Sequence, residues 1–197
     1  MVGGSTQLDA LANARRPEPP RFQHCPPDQP THFRPFRNRE REIVNRTLRF
    51  LDESGFYWGP LTVAQAHALL MMESVGTFLV RDSSQANHLF SLSVQAENGP
   101  VSMRILFEKE HFWFNGACFD CVVKLLEYCV DSTQVKPFRF DCGVSVVFSK
   151  PLRKNPILNL KQLCRKNIIG HFGIESVRQL PLVPRLQQYM EEFPFKL

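Results

Sequence analysis

Apolar positions recur along this chain with two periods, and the switches between them divide it into units. Residues 1–30 show neither period: they are rich in Pro, Ala, Asn and Gln and end in Cys25-Pro26-Pro27-Asp28-Gln29-Pro30, which predicts a disordered tail. The segment 31–37 mixes aromatics with arginines, as His32-Phe33-Arg34-Pro35-Phe36-Arg37. Ile43, Leu48 and Leu51 then stand among charges, predicting an amphipathic helix over about 39–52 within a unit spanning 38–55. Gly55 to Pro60 is aromatic and bracketed by breakers, so a new unit starts there. Thr62 suits the cap of a helix running to Met72, with Val63, Ala66, Leu69 and Leu70 at helical spacing. The period then falls to two. Thr77 to Arg81 reads as a strand, residues 89–96 and 101–107 alternate around a turn at Asn98-Gly99-Pro100, and His111 to Phe114 reads as a short fourth strand. Asp120 is expected to open a helix whose stripe is Phe119, Val122, Val123 and Leu126. Residues 131–155 look irregular, with a strand-like Val144 to Phe148, and the unit closes near Pro151.

The last forty or so residues return to helical spacing. Leu160, Leu163, Cys164 and Ile168 form one stripe, with Lys161, Gln162, Arg165 and Lys166 expected on the opposite side and an end at Gly170. Ile174 and Val177 suggest a second short helix, Leu180 to Pro184 must be extended, and Pro184 suits the first turn of a third helix carrying Leu186, Tyr189, Met190 and Phe193. Helices this short bury little by themselves and need a neighbour. The whole order predicts an α+β domain, an antiparallel sheet with a helix against each face, followed by a small three-helix unit.

Composition and charge narrow the function classes. A hydrophobic content of 43% with 17 Phe excludes global disorder, and a net charge of +5 favours an anionic partner: nucleic acid, acidic lipid or phosphorylated protein. The basic residues are dispersed and match no RNA- or DNA-binding motif, which argues against nucleic acid. No apolar run approaches the roughly 18–20 residues of a membrane span, and the first thirty residues lack the apolar core of a secretory signal, so the expectation is a soluble intracellular protein without membrane insertion. Cys25, Cys118, Cys121, Cys129, Cys142 and Cys164 are then expected as reduced thiols, with Cys121 and Cys129 buried on a helix face. Cys118 and Cys121 are spaced as CxxC, but no second pair completes four ligands, so no metal is expected. Neither a Ser–His–Asp order nor a Gly-rich phosphate loop with Lys appears, which argues against an enzyme and against a cofactor.

The residue that carries chemistry is Arg81. On an extended strand Thr77, Leu79 and Arg81 share one face and Phe78 and Val80 the other. Apolar residues on both faces imply a sheet covered on both sides, so Arg81 starts largely buried. A buried guanidinium without an anion is costly, so it has either an internal carboxylate or a ligand. Asp82 is adjacent but points to the other face. Ser83 and Ser84 follow in a turn where hydroxyls and backbone N–H groups converge on one anion, and Arg104 on a later strand is a second candidate cation. A phosphotyrosine, with about −1.5 to −2 charges and three acceptor oxygens, matches a bidentate arginine in sign and geometry.

Trp58-Gly59-Pro60-Leu61, Gly76-Thr77-Phe78-Leu79-Val80-Arg81-Asp82-Ser83, Phe90-Ser91-Leu92-Ser93-Val94, Phe119-Asp120 and Leu125-Leu126-Glu127-Tyr128 resemble, in order and spacing, a Src homology 2 (SH2) domain over 56–151. The resemblance implies phosphotyrosine binding by Arg81, assisted by Ser83, Ser84 and Arg104. Val63 stands where many members carry an arginine. Residues 156–197 resemble a SOCS box. That likeness implies docking of Leu160, Leu163, Cys164 and Ile168 into elongin C, with elongin B, and a contact of Leu180, Pro181, Leu182 and Pro184 with a type-5 cullin, weakened because Val183 stands where the motif often has proline. Such a protein is the substrate receptor of a ubiquitin ligase.

An SH2 domain followed by a SOCS box resembles the suppressors of cytokine signalling. In that setting His32, Phe33, Arg34, Phe36 and Arg37 look like the kinase inhibitory region of two members, with Phe33 and Phe36 filling apolar hollows of a Janus kinase and Arg34 as the pseudosubstrate residue. The resemblance implies a cytoplasmic negative regulator of JAK-STAT signalling, with the nucleus open as a second location. It would bind phosphotyrosine on Janus kinases or cytokine receptors. The alternative is a phosphotyrosine adaptor that sequesters receptors without inhibiting a kinase.

Overall fold

A computed structural model describes residues 36–85, 88–140, 143–155 and 157–197. The tail 1–30, His32, Phe33 and Arg34, together with Cys25 and Cys142, lie outside the described residues.

Helix α1 (Asn38–Ser54) buries Ile43, Val44, Thr47, Phe50 and Leu51 along one face and ends on Gly55, whose φ of 76° supplies the left-handed cap. Helix α2 (Val63–Leu70) starts as expected at Thr62, whose Oγ1 accepts from Gln65 N at 3.2 Å while Thr62 N donates to Gln65 Oε1 at 3.0 Å. Its buried face is narrower than the spacing suggests: Ala66 and Leu70 are buried, whereas Val63 and Leu69 are exposed.

Strands β1 (Thr77–Asp82), β2 (Phe90–Ala96), β3 (Gly99–Glu108), β4 (His111–Phe114) and β5 (Ala117–Phe119) form an antiparallel meander. The β2–β3 turn is Glu97-Asn98, because Ala96 already pairs with Gly99; Pro100 lies inside β3 opposite Gln95. Strand β5 was not expected, and it places Phe119 opposite Phe112 in the sheet, not on a helix. Helix α3 (Val122–Val135) accordingly starts after Cys121, and Asp120 stands just ahead of it, pairing with Lys124 at 2.9 Å and with Arg46 of α1 at 2.8 Å. The inward face of α3 runs through Val122, Val123, Leu126, Cys129 and Val130.

The stretch read as irregular is more ordered than expected. It holds the end of α3, a small pair of β6 (Phe138–Arg139) with β7 (Ser145–Val146), and β8 (Lys150–Pro151), which pairs parallel with β1. The main sheet therefore runs β5-β4-β3-β2-β1-β8. Helix α2 covers one face, where its Ala66 and Leu70 pack on Leu79 of β1, and α1 with α3 covers the other, where Phe78, Val80, Leu92 and Ile105 meet Leu51, Val123 and Leu126. Phe148 is a hub of that core, with ring centroids 5.7 Å from Phe78, 6.1 Å from Phe114 and 6.1 Å from Phe138.

Helix α4 (Leu160–Phe172) is capped by Asn159, which accepts from Gln162 N at 2.9 Å. It runs through Gly170 and stops at Gly173, where φ is 73°. Helices α5 (Ile174–Val177) and α6 (Pro184–Glu192) complete a small cluster of Ile169, Val177 and Met190. One expectation is inverted here. Arg165, placed by its spacing on the outer basic side, is 4% exposed. Its Nη2 pairs with Glu53 of α1 at 2.6 Å, and its guanidinium lies 4.5 Å from the Tyr189 ring centre and 4.7 Å from that of Phe193. Phe193 and Phe195 leave the three-helix cluster and enter the main core beside Phe50, with centroids 6.2 and 5.0 Å away. No helix of the described residues is long and apolar enough to cross a membrane.

Candidate functional site

Arg81 projects from β1 toward α2 and is 3% exposed. Its Nε donates to Ser93 Oγ at 3.3 Å; Nη1 donates to Asp82 O at 3.1 Å and makes a long 3.5 Å contact with Leu61 O. Nη2 makes no hydrogen bond among the described residues, and none of their carboxylates lies within ion-pair distance of the guanidinium. Asp82 is engaged elsewhere, accepting a short hydrogen bond from Tyr57 Oη on the other face. Burial pulls the Arg81 pKa below its ordinary value, and the Arg104 charge adds to this. Of the two sequence alternatives for Arg81, the internal carboxylate is thus absent among the described residues.

The charged group faces an open cleft of about 310 Å³ between the segment Pro60 to Val63 and the segment Arg81 to Ser84. Ser83 is buried, its N–H donating to Leu89 O at 3.1 Å and its Oγ accepting from Gln85 N at 3.2 Å. Ser84 lines the same cleft and is exposed. Arg104 is exposed on β3, and the register sets Arg81, Ser91 and Arg104 in one row across three neighbouring strands. Arg81, Ser83 and Ser84 therefore share one cleft, with Arg104 two strands over. Such a cleft combines a buried cation carrying free N–H donors with hydroxyls at its rim, which suits a tetrahedral oxyanion on a stalk.

Sequence reasoning missed what lies beneath the guanidinium. Ser93 Oγ is 2.8 Å from Ser102 Oγ, which is 3.0 Å from His67 Nε2 on α2. The alternation Phe90-Ser91-Leu92-Ser93-Val94 did carry a signal, since period two puts both hydroxyls on the Arg81 face. His67 had no such signal, because it meets the sheet only through helix packing.

The other predicted residues fall in three places. Phe36 is half-buried against Phe107, with centroids 6.0 Å apart, and Arg37 is the residue before α1, its N–H donating to Glu40 Oε2 at 2.9 Å. Leu160, Leu163 and Cys164 are exposed on the outer face of α4, at 77% and 41% for the two leucines, while Ile168 is half-buried against the small cluster. Leu180 and Leu182 are half-buried against that cluster, and Pro181, Val183 and Pro184 are exposed. Cys121 and Cys129 are buried, and Cys118 and Cys164 are free and exposed. No group of three or more metal-ligating side chains occurs among the described residues.

Residues 56–129 match the family model of the SH2 domain. Among characterised proteins, "Suppressor of cytokine signaling 1" of Mus musculus is 42% identical over 170 residues, covering 85% of this chain and 75% of that protein. The Homo sapiens protein of the same name is 41% identical over the same coverage. "Suppressor of cytokine signaling 3" of Gallus gallus is 34% identical over 179 residues, covering 78% of this chain and 84% of its own. These likenesses extend beyond the SH2 domain, over a chain that ends in three helices compatible with a SOCS box. The chain belongs to the suppressor of cytokine signalling family.

Proposed function

We propose that this chain is a non-catalytic negative regulator of cytokine signalling: it captures phosphotyrosine on Janus kinases or cytokine receptors in the cytoplasm, inhibits the kinase through the pseudosubstrate segment His32 to Arg37, and delivers the captured protein to a ubiquitin ligase. The observation that carries the first half is the buried Arg81 guanidinium, whose Nη2 has no hydrogen-bond partner and whose charge has no carboxylate among the described residues. A phosphate oxygen pair supplies both, at about 1.5–3 kcal/mol per charge-assisted hydrogen bond. Support for the second half is the outward ridge of Leu160, Leu163 and Cys164, which suits a helix-in-groove contact with elongin C and, through it, elongin B. The segment Leu180 to Pro184 is the proposed cullin contact. No side chain of this protein performs the ubiquitin transfer.

Two measurements test this reading. Fluorescence polarisation with a pool of phosphotyrosine peptides is expected to show Arg81→Lys binding about a hundredfold more weakly or worse, since the bidentate contact is lost. Undiminished binding would sink the phosphate role. Purified elongins B and C are expected to bind the unaltered chain and to fail with Leu160→Asp/Cys164→Asp.

A second reading, a phosphotyrosine adaptor without direct kinase inhibition, is favoured by one observation: Phe36, one of the two aromatics assigned to kinase hollows, already rests on Phe107 of its own sheet. A Janus kinase assay with and without residues 31–37 separates the two readings.

A further inference from the structure

Below Arg81 a chain of polar groups runs across the strands and ends on a helix, at a residue that does not line the cleft. Arg81 Nε lies 3.3 Å from Ser93 Oγ, Ser93 Oγ 2.8 Å from Ser102 Oγ, and Ser102 Oγ 3.0 Å from His67 Nε2. We infer that His67, acting through Ser102 and Ser93, is a positioning residue for phosphotyrosine binding: it closes a directed hydroxyl chain that fixes the Arg81 guanidinium at the cleft it lines. This rests on Arg81 being the phosphate-gripping cation.

The direction of the chain follows from donor counting. A guanidinium only donates, so Ser93 Oγ accepts from Nε. Ser93 has one proton, and Ser102 Oγ is within reach to take it. Ser102 then has one proton of its own, and the neutral imidazole with its proton on Nδ1 offers Nε2 as the acceptor. Every proton in this arrangement has one destination. With Nε2 protonated instead, Ser102 accepts from it, and the two hydroxyls then have two protons but only one hydrogen bond between them, so one proton has no partner within the chain. Burial and the Arg81 charge both hold His67 below the ordinary imidazole value, which favours the neutral form. Ser93 is fully buried, so a broken link leaves an unsatisfied hydroxyl beneath the cation.

The geometry also explains what α2 gives the site. At its first turn it presents Val63, an exposed aliphatic side chain on the rim of the cleft, and one turn later on the same face it presents His67. The helix thus reaches the phosphate-binding arginine from beneath and not from the rim. An arginine held at Nε loses rotation about its long stem, so less ordering is left for the ligand to impose.

The test uses the full chain, one fixed phosphotyrosine peptide selected from the pool with unaltered protein, and four variants, with thermal unfolding as the fold control. His67→Phe keeps the ring volume without an acceptor; His67→Gln places Oε1 near the Nε2 position. His67→Phe and Ser102→Ala are expected to bind about five- to tenfold more weakly, and His67→Gln to recover binding to within about twofold. The Arg81 Nε–H resonance, slow to exchange in the unaltered chain and in His67→Gln, is expected to exchange rapidly in His67→Phe and Ser102→Ala. Unchanged affinity in both weakening variants overturns the inference, and so does a loss that His67→Gln fails to repair, which would mark a packing role only. Arg81→Lys is the fourth variant: if it retains binding, phosphate capture by Arg81 itself fails, whereas its loss beside unaffected His67 variants removes only the positioning role.

Discussion

At the scale of single residues, the site depends on who keeps each charge occupied. Asp82 is the carboxylate next in sequence to Arg81, and it is removed from contention by Tyr57 on the opposite face. Burial and that carboxylate together push the Tyr57 phenol well above its ordinary value, so it remains a donor throughout the working pH range. Gly76 controls where the strand begins. Its φ is 88°, its N–H donates to Gln95 O at 2.8 Å, and its O accepts from Ser149 N at 2.8 Å. A Cβ added there would lie 2.6 Å from Ser149 Oγ and 3.2 Å from Ser149 N. Gly76→Ala is therefore expected to cost about 2–3 kcal/mol in urea unfolding, from the strained φ and the crowding together. It is also expected to weaken phosphopeptide binding, because β1 carries Arg81 five residues on.

At the scale of elements, period and facing were legible to different degrees. The strand carrying Arg81 is legible because its apolar residues fall on both faces, and Arg81 stands out as a cation inside that pattern. Strand β5 was missed although Asn115-Gly116, with φ of 46° and 79°, is a turn signal between β4 and β5. Strand β8 is two residues long and includes Pro151, so no period could show it. Helix α4 is the instructive case. Its spacing puts Leu160, Leu163, Cys164 and Ile168 on one side and Arg165 with the other basic residues on the opposite side. Arg165 instead turns inward because Glu53, Tyr189 and Phe193 receive it, partners that only the tertiary structure brings together. Facing on this helix is testable by charge insertion. Leu163→Asp is expected to leave stability within about 0.5 kcal/mol while abolishing elongin capture. Ile169→Asp, at a buried position of the same helix, is expected to cost about 3 kcal/mol or more by denaturant unfolding. His67 is illegible for the same reason as Arg165: its partner, Ser102, is brought to it only by tertiary packing.

At the scale of the whole molecule, the three C-terminal helices are not an appendage. Beyond the Arg165–Glu53 pair, the last residues run back across the SH2 domain. Phe193 and Phe195 enter the core beside Phe50, Glu127 of α3 accepts from the N–H groups of Lys196 and Leu197 at 2.5 and 3.3 Å, and Lys196 pairs with Asp131 at 2.6 Å. Burial raises the Glu127 carboxyl above its ordinary range even with those two donors in place. A chain stopped after Glu192 loses two buried rings from the main core. It is expected to be less stable by at least about 3 kcal/mol, a fall in melting temperature of about 6–12 °C followed by circular dichroism. An unchanged melting temperature would mean that the two parts unfold independently. The ligand side of the molecule bears on the same melting curve. On the proposed role of Arg81, a cation lodged under α2 with donors to spare is expected to make the free protein a scavenger of small oxyanions. Sulfate or inorganic phosphate in a purification buffer is then expected to compete with authentic peptides and to stabilise the fold by about 2.7 kcal/mol at a hundred times its dissociation constant, raising the melting temperature. Affinities and melting points measured in phosphate-buffered and in oxyanion-free solution will therefore describe two differently loaded states of one protein.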